Sequence, residues 1–186
     1  MAVPEVFKYN SLISILLFGF IEVFLIRRIP EFSFASQTIS KTIKFIKQPY
    51  ERLIFRLNFV LKSFIDIGFL WYIKEHFSLQ FTAPVVWVYS CIILLFASLS
   101  YITEDAFWVA HYIVVYTVIA LLSVSQLLFA GLTRDSVFSQ ISLIAATIPF
   151  IISFWYLYAR KTNVYVQIAC FVISFSWLAV FVFRYL

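Results

Sequence analysis

Residues on which most enzymes and metal proteins depend are scarce in this sequence. Three glycines (Gly19, Gly68, Gly131), two cysteines and two histidines occur in 186 residues. Isolated glycines supply neither a phosphate loop nor a dinucleotide fingerprint, since both need clustered glycines for close backbone approach. Cys91 and Cys170 each lie inside an apolar run, where they read as small buried hydrophobes and not as a disulfide framework. With no CxxC or HExxH spacing, no metal site and no cofactor are expected. A haem held between His76 and His111 would need both at one depth, with polar anchors for its propionates. Charge is scarce as well: 12% of residues are charged, against about 25% in ordinary soluble domains.

Apolar residues fill the space: 63% of the chain is hydrophobic and 21% aromatic. A soluble fold of that composition would expose too much apolar surface. An outer-membrane barrel would need alternating segments of about ten residues, whereas the runs here are longer and apolar throughout. A helix crossing the bilayer core needs about 20 mostly apolar residues. The expected fold is therefore all-α, a polytopic transmembrane helical bundle forming a single membrane domain over 1–186. Its spans fall at about 11–26, 57–73, 84–101, 107–130, 136–159 and 165–185. The count is six, or five if 57–73 only skims the surface. Six is preferred, because Phe64 to Ile73 is too uniformly apolar to lie half in water. A signal peptide over 11–26 is disfavoured by Glu22 inside the run and by Arg27 and Arg28 just after it. No internal repeat is evident, so an inverted-repeat transporter gains no support.

The net charge of +5 is concentrated in one segment. Residues 27–62 hold eight bases (Arg27, Arg28, Lys41, Lys44, Lys47, Arg52, Arg56, Lys62) against Glu31 and Glu51, so the rest of the chain is slightly acidic. Within 38–56, apolar residues recur every three or four positions with Lys41, Lys44, Lys47, Arg52 and Arg56 between them. That pattern predicts a basic amphipathic helix in the headgroup plane, restarted at Pro49 and facing anionic membrane lipids. Nucleic acid is not expected as a partner, since it would want the bases on a broader folded polar face. With six spans, nine Lys and Arg fall on the side of loop 27–56 and four on the other. Loop 27–56 is accordingly expected to be cytoplasmic.

An ionisable side chain in hydrocarbon is costly and faces the bundle interior or a partner. Asn58, Lys62 and Asp66 follow at four-residue steps and so stack on one face of one helix. They suit two readings: a neutralised Lys62–Asp66 pair that locks the helix in place, or a polar cavity for a lipid headgroup, ion or small ligand. Glu104, Asp105 and His111 form the second cluster. If the helix begins at Glu104, then Glu104 and His111 share a face and could support acid–base chemistry. In the plainer reading the two carboxylates favour a helix N-terminus and His111 is an interior hydrogen-bonder. Glu22 is expected to reach Arg27 or a base on the second span.

Three stretches resemble the Frag/DRAM/Sfk-type six-helix membrane proteins and their prokaryotic relatives. Phe64-Ile65-Asp66-Ile67-Gly68 is similar to the family's short Ser-Asp-x-Gly-like stretch, with isoleucine where serine is usual. The run from Tyr101 through Glu104 and Asp105 to His111 looks like its acidic turn followed by a histidine. Arg160-Lys161 leading to Tyr165 and Trp177 resembles its last loop and last helix. The likeness implies a lipid-associated role and no particular reaction. Three functions stay open at this point. The first is a pocket for a lipid or small amphiphile lined by Lys62, Asp66, Glu104 and His111. The second is an accessory or scaffold subunit with a membrane-protein partner. The third is a lipid-modifying enzyme using His111 with Glu104 or Asp105.

Overall fold

Proline, aspartate and asparagine set where the helices begin. A computed structural model describes residues 3–159 and 163–186. After a 3-10 turn at Glu5–Tyr9, helix α1 runs Asn10–Arg27, and a second 3-10 turn at Ile39–Lys41 leads into the short α2, Thr42–Phe45. The long helices are α3 (Pro49–His76), α4 (Pro84–Ser98), α5 (Trp108–Thr133), α6 (Ser136–Tyr158) and α7 (Val164–Tyr185). Pro49 and Pro84 occupy the first turns of α3 and α4, where a missing N–H costs no helical bond. Asp135 caps α6 by accepting from the amides of Val137 (2.9 Å) and Phe138 (3.0 Å), and Asn163 caps α7 by accepting from Val166 (3.1 Å). No strand occurs among the described residues.

Among the described residues, four helical stretches are long and apolar enough to cross a membrane: Glu5–Arg27, Trp108–Thr133, Ser136–Trp155 and Val164–Tyr185. The two remaining long helices miss that standard for different reasons. α3 has 28 residues, or about 42 Å of helix, but Arg56, Lys62, Asp66 and Lys74 interrupt its apolarity. α4 has 15 residues, or about 22 Å, short of a hydrocarbon core of about 30 Å. The span expected over 84–101 thus ends three residues early. Leu99, Tyr101 and Ile102 continue the apolar run, yet they fold into turns whose amides reach back to Phe96 and Ser98.

The basic amphipathic helix expected over 38–56 does not exist as one element. Its second half is the start of α3, since nothing after Pro49 stops the helix. The first half is a strap of short turns, and Ile43 and Ile46 on it are fully buried in the protein core. Arg52 ties strap to helix by donating to the Ile46 carbonyl at 2.9 Å, and Arg28 pairs with Glu51 at 2.9 Å.

The long helices form a closed ring in the order α1, α3, α4, α5, α6, α7, with α7 returning to α1 over a short seam. Neighbours run antiparallel, as the contacts require. Ser14 meets Asp66 while Glu22 meets Asn58, and Ser142 meets Trp177 while Ser153 meets Cys170. The strap, the 99–107 turn and the start of α7 therefore share one end of the ring. Inside, Phe18, Phe59 and Phe96 join α1, α3 and α4, and Phe138, Trp177 and Phe181 join α6 to α7. The outer surface is apolar: Phe20, Phe64, Leu94 and Phe183 are each about 70% exposed. Along α3, Asn58, Ser63 and Asp66 are buried while Leu57, Leu61 and Phe64 face out, the reverse of a soluble helix.

Candidate functional site

The ionisable residues singled out in the sequence fall into two places in the ring. The first is the α1–α3–α4 interface. Lys62 Nζ lies 2.5 Å from Asp66 Oδ2 and sits over the Phe96 ring, 4.6 Å from its centroid. Ser14 donates to the other Asp66 oxygen at 2.5 Å and also to the Ser11 carbonyl, while Ser11 and the Tyr89 hydroxyl meet at 2.9 Å. Asn58 donates to the Phe18 carbonyl (3.1 Å) and to Glu22 Oε1 (2.9 Å). Glu22 therefore meets an amide where a base was expected, because Arg27 and Arg28 lie beyond it at the end of α1. Asn10 donates to the Ile65 carbonyl at 3.1 Å. Its side chain fills the space where a Cβ on residue 68 would stand, which accounts for Gly68.

Sequence reasoning singled out Glu22 but missed Ser11 and Ser14 on the α1 side of this seam, though a signal was present. Ser11, Ser14 and Glu22 fall at helical spacing and form one polar edge on an apolar helix. Between α1 and α7 runs a groove of about 250 Å³ walled by apolar side chains, with Glu22 and Lys62 at its floor.

The second place is an open cavity of about 550 Å³ at the strap end of the ring, lined by α5, α6, α7 and Thr38, Ser40 and Lys41 of the strap. Glu104, His111, Tyr112, Tyr116, Lys41 and Gln167 all contribute to its wall. Glu104 stands in the turn before α5, not on the helix, whose first residue is Trp108. It reaches across to the strap, where Lys44 Nζ lies 3.2 Å from its Oε1, and Tyr112 donates to the same oxygen at 3.4 Å. His111 Nδ1 lies 2.7 Å from the Ile102 carbonyl. Glu104 Oε2 and His111 Nε2 are both buried without a hydrogen-bond partner among the described residues. Gln167 ties the strap to α7, its Oε1 accepting from the Ile39 amide at 2.8 Å.

Asp105 corrects the expected cluster. It is exposed and forms no part of the cavity wall, because the turn that carries Glu104 inward carries its neighbour outward. Lys62 and Asp66 are likewise absent from this cavity, so the four residues expected around one pocket are divided between two regions. His76 stacks on Tyr72 at the far end of α3, opposite the end that holds His111. Arg160 and Lys161, which carried part of the family likeness, lie outside the described residues. No family model matches the chain, and no curated protein or solved structure is similar to it.

Proposed function

We propose that this chain is a multi-pass membrane protein that holds the polar head of a lipid or small amphiphile in the cavity between α5, α7 and the strap. One observation carries the reading. Two chemically able groups, Glu104 and His111, are buried at an apolar bundle's edge, line a cavity of about 550 Å³ and each keep a polar atom without a partner among the described residues. An unmet buried acceptor costs about 1–3 kcal/mol, and a bound headgroup would recover it. The volume suits a small-molecule site, about 300–1,000 Å³. The resemblance of 64–68 and 101–111 to the Frag/DRAM/Sfk-type proteins points toward lipid in the same way.

In this reading all six ring helices cross the membrane. The outward faces of α3 and α4 carry large exposed hydrophobic residues like those of the other four, and mid-helix Lys62 and Asp66 turn inward while the exposed Arg52, Arg56 and Glu75 lie toward the two ends of α3. The excess of Lys and Arg places the strap, and with it the cavity, on the cytoplasmic side. The Asn58–Lys62–Asp66 stripe acts in this scheme as an interhelical lock, because its polar atoms are already bonded to α1 and to one another. The test is native mass spectrometry of protein released from mild detergent. Wild type is expected to retain a bound amphiphile, and Ser153→Phe, which fills the cavity from α6, to lose it. An adduct of equal mass and abundance in both proteins overturns the reading.

A further inference from the structure

Resting on that reading, we infer that the cavity selects a primary ammonium next to a phosphate, the headgroup of phosphatidylethanolamine. Hydrogen-bond polarity is the starting point. A carbonyl oxygen can only accept, so the contact with Ile102 fixes the proton of a neutral His111 on Nδ1 and leaves Nε2 with a lone pair. Among the described residues Glu104 meets Lys44 and Tyr112 through Oε1 alone, so its Oε2 is also an acceptor without a donor. Thr38 Oγ1 on the same wall is unmet too, but a hydroxyl can donate as well as accept, so a ligand that meets Glu104 Oε2 and His111 Nε2 must bring N–H or O–H.

Two further features select a charged nitrogen, and a third the phosphate beside it. A carboxylate oxygen gains about twice as much from a charged donor as from a neutral one. Tyr112 and Tyr116 stand as parallel rings on the cavity wall, 6.1 Å apart with planes 9° from parallel, and aromatic faces attract cations. Lys41, on the strap side of the same wall, takes part in no ion pair among the described residues and offers a cation to a phosphate. An ammonium with three N–H donors can satisfy Nε2 and Oε2 together while its phosphate meets Lys41. Choline has the same charge but three methyl groups in place of the N–H donors, so it leaves both acceptors unmet.

The experiment is competitive native mass spectrometry of the full chain in detergent micelles. The competitors are phosphatidylethanolamine, phosphatidylcholine and phosphatidylglycerol with identical acyl chains. Wild type is expected to prefer the ethanolamine lipid over the choline lipid by about tenfold, the scale of lost charge-assisted hydrogen bonds. Glu104→Gln and His111→Phe should each shrink that preference toward unity, with thermal unfolding of the apoprotein checking that they fold. Lys41→Ala should weaken ethanolamine and glycerol lipids alike.

Equal retention of choline and ethanolamine lipids, or a preference for glycerol, overturns the ammonium. If Ser153→Phe still displaces whichever lipid binds, the cavity reading survives that failure; if it displaces none, the cavity reading fails as well. Soluble phosphoethanolamine raising the unfolding temperature where the lipid does not would keep the recognised chemistry and overturn its lipid source.

Discussion

Two kinds of buried charge are present, and they respond differently to substitution. Asp66 has both oxygens engaged, by Lys62 and by Ser14. Removing one member of such a pair leaves an uncompensated charge and costs about 3–5 kcal/mol, whereas replacing both by apolar groups is often close to neutral. Lys62→Met or Asp66→Leu alone should therefore lower the thermal unfolding midpoint in detergent sharply, and the double variant should recover most of the loss. Ser14 tolerates the double change because its hydroxyl also donates to the Ser11 carbonyl. If the double variant is as unstable as either single one, the pair is not what holds α3 in place. The inward stripe of Asn58, Lys62 and Asp66 was legible from four-residue spacing alone. Its partners were not, since Ser14 lies 52 positions from Asp66 and Lys44 lies 60 from Glu104. No local periodicity reports a contact across that separation.

At the scale of elements, the α5–α6 connection shows how little chain is needed to reverse direction. Arg134 adopts left-handed backbone (φ 55°, ψ 17°) at the end of α5, and Asp135 immediately caps α6. The Phe138 amide first, then the Tyr185 hydroxyl, hold the Asp135 carboxyl below the ordinary aspartate range. A group whose pKa is lowered on folding stabilises the fold above its unfolded value, near 3.9, and loses that contribution as pH falls through the folded one. Unfolding midpoints recorded from neutral pH down to about pH 3 should thus show an acid loss that Asp135→Asn reduces. An unchanged acid profile in that variant would remove Asp135 from the account. The ends of α1, α6 and α7 agree closely with their apolar runs, because in those helices apolarity and helix stop together. The strap escaped the pattern for the opposite reason. Ile43 and Ile46 repeat like the face of a lipid-lying helix, but the ends of the ring offer them a protein surface, and tertiary burial decides the outcome.

For the whole molecule, the number of crossings has a direct consequence for which residues share a side. With all six ring helices spanning, Gln37 in the strap and Gln80 between α3 and α4 face opposite compartments; if α3 stays on the surface, they face the same one. Single cysteines at these positions, in a Cys91→Ala, Cys170→Ala background, should react with a membrane-impermeant maleimide from opposite sides of sealed vesicles. Labelling of both from one side would reduce the count to five. The ring also imposes an order in time. Val166, Gln167 and Cys170 close the cavity from α7, and the bond from Ile39 to Gln167 joins residues 128 positions apart. During synthesis the strap and the Glu104 turn leave the ribosome long before α7, so the pocket lacks that wall until α7 follows them. A nascent chain must hold that half-built polar surface in the bilayer until α7 arrives.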